Sequence, residues 1–224
     1  MLRPLAPDLW VQDHPQTFWG AQLGTRMIVA RLESGALWLH APVPIDDALA
    51  AELAALGPVA AIVAPNGYHH LYVAAAAARY PDAACFAAPG LAARGQPALG
   101  EVLTDRAPEL WRHQIDQEVI KGAPGVGEVV FFHRESKTLL LTDLLFHVTA
   151  SPSWWTRTFL QLAGAYGTLG MCSLYRRAIQ DPAATRTSVD RILMWDFDRV
   201  TRCHGDLLET GGRMRVAEAL ATLG

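Results

Sequence analysis

The sequence predicts an α/β fold in which two sheets lie face to face, with helices on their outer sides. Short strand-like runs open the chain, and strand and helix patterns then alternate. The second half again runs from strands into helices. With 224 residues, 51% of them hydrophobic, the chain can bury a large core. No linker rich in proline, glycine or serine divides it, so we expect one domain over residues 1–224.

The first half predicts an antiparallel meander followed by βαβ units. Three runs, 8–12, 26–32 and 36–40, are short and rich in β-branched or aromatic residues, which is typical of strands. Leucines then recur at helical spacing over 45–56. The remaining predicted elements of this half are a strand over 59–64, a helix over 69–80 and a strand over 84–87.

The second half begins with a predicted hairpin. Its strands are 127–133 and 137–142, on either side of a short polar turn. Residues 150–197 are mostly helical in pattern, and we interpret them as a helical insertion. A strand over 199–203 and an amphipathic helix over 212–223 complete the prediction.

Composition and charge exclude several classes of function. The net charge of −3 comes from 19 basic and 22 acidic residues without a basic stripe, so we expect no nucleic-acid partner. The first eight residues lack the unbroken apolar stretch of a signal peptide. Three widely spaced cysteines are typical of reduced thiols, and we therefore predict a cytoplasmic protein.

One apolar segment, 153–175, allows two interpretations. Tryptophans precede its apolar run and arginines follow it, so it could lie on a membrane surface or cover an active site. We favour a helical hairpin packed on the domain's own core, because apolar segments are usually buried against their own chain.

Chemistry-bearing residues follow three of the predicted strands. His69 and His70 stand after strand 59–64, Asp143 after the hairpin, and His204 after strand 199–203. Ligands commonly bind at the carboxyl ends of strands in α/β folds. Three imidazoles and one carboxylate suit zinc or another divalent transition metal. If they share a site, we expect these side chains to lie roughly 3 to 5 Å apart.

The order of these motifs resembles the metallo-β-lactamase fold superfamily, and most closely its DUF4336 branch of uncharacterised proteins. The resemblance covers nearly the whole chain. It implies an αββα four-layer sandwich. The runs that carry it are Ala64-Pro65-Asn66-Gly67-Tyr68-His69-His70, Leu141-Thr142-Asp143-Leu144-Leu145-Phe146, Trp195-Asp196-Phe197-Asp198-Arg199-Val200 and Cys203-His204-Gly205-Asp206.

The departures from the superfamily motif bear on the metal content. The motif His-x-His-x-Asp-His would place its first two histidines where Pro65 and Gly67 stand, and no histidine precedes the hairpin at the next ligand position. The resemblance therefore implies that the first metal site is lost. In the second site His69 replaces the aspartate and His70 keeps the last histidine. The superfamily's early strand-ending aspartate is also missing, and His40 stands at about that place.

The remaining ligands of the second site are Asp143, which matches the bridging aspartate, and His204, which matches the terminal histidine. We expect one ion at most, or none. A four-ligand shell would leave no open position, whereas three ligands and a water would make a hydrolytic centre. In such a centre Asp143 would be the catalytic residue, as ligand or general base.

Two functions remain open at this stage. The first is a single-metal hydrolase of unknown substrate, and the alternative is a metal-free, non-catalytic ligand-binding or scaffold protein that uses the former active-site cleft. Both predict a small-molecule ligand. We expect substrate contacts from Tyr68, His147, Trp154 and Trp155, although His147 also suits a surface position and the tryptophans also suit core or lid packing. β-Lactam hydrolysis is not expected.

Overall fold

The computed structural model describes residues 1–91 and 100–223, which form two main sheets and a small hairpin surrounded by helices. The strands are β1 (Arg3–Ala6), β2 (Leu9–His14), β3 (Thr17–Phe18), β4 (Ala21–Gln22), β5 (Thr25–Arg31), β6 (Leu37–His40), β7 (Val59–Ala64), β8 (Ala84–Ala87), β9 (Glu101–Val102), β10 (Ile115–Val119), β11 (Val129–His133), β12 (Thr138–Leu141) and β13 (Arg199–Arg202). The helices are α1 (Asp47–Leu56), α2 (Val73–Arg79), α3 (Trp154–Leu162), α4 (Ser173–Ala178), α5 (Pro182–Ile192) and α6 (Gly212–Ala219).

The larger sheet has the order β1-β2-β5-β6-β7-β8-β9. Strands β1, β2, β5 and β6 pair antiparallel, as the predicted meander requires. From β6 onward the pairing is parallel, because α1 and α2 each carry the chain back to the starting edge before the next strand begins. The carboxyl ends of β6 and β7 therefore lie side by side.

The smaller sheet has the order β10-β11-β12-β13. The predicted hairpin is β11 and β12, and β13 joins β12 in parallel. As a result the carboxyl ends of β12 and β13 also lie together. These two neighbouring ends carry Asp143 and His204.

Alternating side chains of the smaller sheet divide the core into two layers. Phe131 and Leu140 pack between the two sheets, whereas Phe132 and Leu139 pack against the outer helices. On the outer side of the larger sheet, α2 packs against β7. On the outer side of the smaller sheet, α5 packs against β10 and α6 packs against β13. The four-layer α/β arrangement expected from the sequence is therefore present.

Several predicted boundaries need correction. The predicted helix over 69–80 begins at Val73, because residues 69–72 form turns. The predicted final helix ends at Ala219. Strands β1 and β10 were not expected from the sequence. The predicted helical segment 150–197 contains α3, α4 and α5. Among the described residues, no helix has both the length and the apolar character needed to cross a membrane.

Candidate metal centre

Three of the four predicted ligands meet at the strand ends. His69, Asp143 and His204 each offer one ligand atom, and these atoms all lie within 4.8 Å of one another. The Nε2 atom of His69 lies 3.4 Å from the Asp143 carboxylate, and the Nε2 atom of His204 lies 3.3 Å from Asp143 Oδ1. All three side chains are largely buried. We call this group the His-Asp-His cluster.

An asparagine at the end of β7 places His69. The Asn66 carboxamide oxygen accepts hydrogen bonds from the backbone N–H groups of Tyr68 and His69, at 2.9 and 2.8 Å. This arrangement turns the chain sharply after the strand, as asparagine side chains commonly do. It delays the start of α2 and directs the His69 ring toward the end of β12.

Two buried polar groups fix Asp143. Asn66 Nδ2 donates to Asp143 Oδ2 at 2.6 Å. The Glu128 carboxylate accepts the backbone N–H groups of Thr142 and Asp143, at 2.8 and 3.0 Å. Glu128 is fully buried, and burial, with the charge of Asp143, raises the pKa of its carboxyl group to about 8.

The charge state of Asp143 depends on its neighbours. Burial alone would raise the pKa of this carboxyl group, but the charge of His69 and the hydrogen bond with His204 outweigh it and hold the pKa well below its usual range. Asp143 is therefore a carboxylate near neutral pH. A carboxylate suits a metal ligand. A carboxylate with such a low pKa binds a proton weakly, which argues against the other role expected for Asp143, that of a general base.

The position of His204 depends on contacts with the other sheet. Its Nδ1 atom lies 2.7 Å from the Gly24 carbonyl oxygen, and because a carbonyl only accepts, Nδ1 carries the proton. Its other ring nitrogen, Nε2, faces Asp143 Oδ1 at 3.3 Å. Arg26 from β5 donates to the carbonyls of Arg202 and Gly205, at 3.1 Å each.

Gly205 is needed directly after His204 because its φ is +78°. A Cβ atom at this position would lie 2.2 Å from the His147 carbonyl oxygen, so no other residue type fits there without moving the backbone. The close approach of these two segments fixes the end of β13 and the start of the loop that follows His204.

A cavity of about 430 Å³ opens onto the His-Asp-His cluster. The β3–β4 hairpin, the turns over 67–72 and the segment from α3 to α4 enclose it. Most lining side chains are apolar. This size falls within the usual range for small-molecule sites.

Two of the other sequence-predicted site residues, His70 and Tyr68, line this cavity. His70 lines the cavity but lies outside the His-Asp-His cluster, so the four-ligand expectation is reduced to three. The turn after Asn66 brings the His69 ring to within 3.4 Å of Asp143, and the group of converging ligand atoms does not include His70. Tyr68 lines the cavity as expected and is half exposed.

The remaining three predicted contacts lie outside the cavity lining. His147 is buried between Arg202 and Arg215, whose nitrogens lie 3.5 and 3.4 Å from its ring. Burial and these two charges lower its pKa. Trp154 is exposed, and the Trp155 indole N–H donates to the Trp19 carbonyl oxygen at 3.1 Å. Their predicted role in substrate binding has no support from the cavity and stays a prediction.

Asn66 and Glu128 are the site residues that sequence reasoning missed. Each has a signal in the sequence. Asn66 is a polar residue two positions after the apolar strand β7, and Glu128 is a lone acidic residue beside the run Val129-Val130-Phe131-Phe132. A polar side chain in such a place must find hydrogen-bond partners when it is buried. Its partners are visible only in the folded chain.

The donor set fits a transition metal. Two imidazole nitrogens and a carboxylate oxygen converge, and the outer nitrogen of His204 is bonded to a backbone carbonyl, as in metal-binding histidines generally.

Comparison with known proteins agrees with this architecture. The family model of DUF4336, a domain of unknown function, matches residues 7–164. No curated protein matches the chain. Among solved structures, a metallo-β-lactamase from Pontibacter korlensis is 12% identical with a TM-score of 0.66, covering 100% of this chain and 98% of that chain.

Two further solved structures are similar over nearly their whole lengths. The DIM-1 metallo-β-lactamase is 11% identical with a TM-score of 0.68, covering 100% of this chain and 98% of that chain. The mono-zinc form of the metallo-β-lactamase FIM-1 from Pseudomonas aeruginosa is 13% identical with a TM-score of 0.65, covering 99% and 94%. At such identities the likeness shows the fold and leaves the activity open. The chain therefore belongs to the DUF4336 family and has the metallo-β-lactamase fold.

Proposed function

We propose that this protein binds one divalent transition metal, zinc or a similar ion, and hydrolyses a small molecule with it. The observation that carries the proposal is the convergence of His69, Asp143 and His204, whose ligand atoms all lie within 4.8 Å of one another at the mouth of a cavity. Two imidazole nitrogens and a carboxylate oxygen form a ligand set that zinc and similar ions prefer. The mono-zinc form in which FIM-1 is described supports a single ion on this fold.

The residues around the His-Asp-His cluster support a fixed site. Asn66 and Glu128 hold Asp143, and the Gly24 carbonyl holds His204. Such outer contacts orient metal ligands and raise affinity by roughly 10- to 100-fold. Three protein ligands leave an open coordination position, which is the arrangement of catalytic rather than structural zinc sites.

The chemistry divides between the ion and the chain. A metal of this kind, when bound, polarises a carbonyl and lowers the pKa of water. The Asp143 carboxylate would serve as a ligand together with His69 and His204, and His70 lines the cavity. In the overall hydrolysis the water oxygen bonds to the electrophilic atom of the substrate, the bond between that atom and the leaving group breaks, and one water proton passes to the leaving group.

Two adjacent substitutions test the proposal. We expect His69→Ala to weaken metal binding more than about 100-fold, since loss of a ligand exceeds loss of an outer contact. His70→Ala should change the affinity less than threefold, because His70 lies outside the group of ligand atoms. Competition with a chromophoric chelator, on protein without a histidine tag, measures both affinities. Equal losses in the two variants, or no uptake by the wild type, would reject the three-ligand site.

A second candidate is a metal-free ligand-binding protein, and the mostly apolar cavity favours it. It predicts no metal uptake together with retained ligand binding. For either candidate we propose a reducing, cytoplasmic location, supported by the free thiols of Cys85, Cys172 and Cys203. Contact with a membrane surface remains the less favoured alternative.

A further inference from the structure

The cavity wall away from the His-Asp-His cluster is formed by hydrocarbon side chains. They come from α3 and the residue after it, from α4, and from the β3–β4 hairpin region: Phe18, Leu23, Phe159, Leu160, Ala163 and Leu174. Apart from Asp143, the other lining side chains described in the structure are apolar, hydroxyl, phenol, thiol, amide or imidazole groups. Asp143 is thus the lining side chain that carries a negative charge.

Some of these polar groups are already satisfied within the protein. The Tyr72 hydroxyl donates to Gln16 Oε1 at 3.0 Å, which pairs two of the polar lining residues with each other. The cavity also has an accessible side, because Tyr68 and Leu71 line it and are 47% and 60% exposed. A ligand can therefore enter past the turns over 67–72 and lie along a hydrocarbon wall.

Such a cavity favours a neutral, apolar ligand. Each methylene that leaves water for an apolar site contributes about 0.8 kcal/mol, which corresponds to roughly fourfold in affinity. A phosphate group in the same place would give up hydration for a neutral wall and would lie near the Asp143 carboxylate. The composition of the wall therefore favours uncharged carbonyl compounds over phosphate esters as substrates.

We propose that this cavity binds an apolar acyl chain and that the substrate class is a neutral acyl ester, thioester or amide with its carbonyl end at the His-Asp-His cluster. The assignment of the carbonyl end rests on the proposed function. The assignment of the apolar acyl chain rests on the hydrocarbon wall of the cavity alone. Either assignment can therefore be wrong while the other holds.

Binding to chelator-treated, metal-free protein tests the chain without the metal. Primary alcohols of 4 to 14 carbons, measured by calorimetry, should bind about fourfold more tightly per added methylene until the cavity is filled, and then reach a plateau. Decyl phosphate should bind at least tenfold more weakly than 1-decanol. Affinity that is independent of chain length, or tighter binding of the phosphate, would overturn the proposal.

Substitutions place the chain in this cavity. Ala163→Phe fills the wall and should weaken 1-decanol binding at least tenfold, whereas the same change at the exposed Ala54 of α1 should leave it unchanged. Leu160→Ala enlarges the cavity and should move the plateau to longer alcohols, which keeps the test decisive if the first variant does not fold. Unaltered binding in both cavity variants would contradict the proposal.

The two proposals have distinguishable failures. Metal uptake without chain-length dependence would leave the metal centre standing and reject the acyl chain. Chain binding without metal uptake would keep the cavity ligand and reject the hydrolase.

Discussion

Two strand ends, one in each main sheet, carry buried histidines with different surroundings. At the end of β6, His40 is fully buried, stacked 5.5 Å from the Trp38 ring and edge-on 5.4 Å from Phe131. Within the described part of the chain, neither of its ring nitrogens has a hydrogen-bond partner. At the end of β13, His204 is nearly as buried but donates to a carbonyl and faces Asp143.

The difference shows that position at a strand end does not make a histidine a ligand. For His204, Gly24, directly before β5, supplies a carbonyl beside one ring nitrogen, and the neighbouring end of β12 places the Asp143 carboxylate beside the other. His40 lies between aromatic rings, and burial, with the nearby charge of His69, lowers its pKa to about 3. The surroundings of His204 suit a candidate metal ligand, whereas those of His40 favour the uncharged ring.

The largest expected effect separates the two histidines by metal affinity. His204→Ala should weaken binding of zinc more than about 100-fold, because it removes a ligand whose orientation is fixed by the Gly24 carbonyl. His40→Phe should change the affinity less than twofold. Chelator competition measures both variants under the same conditions, and a comparable loss in His40→Phe would make His40 part of the metal centre.

The next prediction concerns the change of the free energy of unfolding with pH. The folded state keeps His40 neutral down to about pH 3, whereas the unfolded chain binds a proton below about pH 6.5. Stability is therefore lost as the pH falls below 6.5. By this linkage, His40→Phe should gain about 2 kcal/mol relative to wild type between pH 8 and pH 5. Urea unfolding at the two pH values checks this, and parallel pH profiles would show that His40 is protonated in the fold.

The smallest effect extends the comparison to two tyrosines of the cavity. The Tyr175 hydroxyl is buried and has no hydrogen-bond partner among the described residues, whereas that of Tyr72 donates to Gln16. Tyr175→Phe should therefore raise the free energy of unfolding by about 1 kcal/mol, and Tyr72→Phe should lower it by a similar amount. Denaturant unfolding distinguishes them. Destabilisation by Tyr175→Phe would indicate a partner for its hydroxyl.

Local sequence patterns predicted most elements of the fold. The leucine spacing of α1, the apolar run of β7 and the hairpin β11–β12 all depend on signals within about ten residues, and the structure confirms them. Strand β10 was missed because Asp116, Gln117 and Glu118 hide the alternation that its partner β11 imposes. The start of α2 was placed four residues early, because the Asn66 turn depends on a side-chain hydrogen bond.

The candidate site divides in the same way. By itself the sequence determined which residue types follow which strands, because apolar runs, turns and polar punctuation are local properties of the chain. It therefore placed His69, Asp143 and His204 at strand ends. Only the tertiary structure decided that His69 rather than His70 joins the other two and that Asn66 and Glu128 hold Asp143. It also left both ring nitrogens of His40 without a hydrogen-bond partner among the described residues. Those outcomes depend on contacts between residues from 15 to 180 positions apart, made where two sheets and their loops pack together, and no local pattern specifies them.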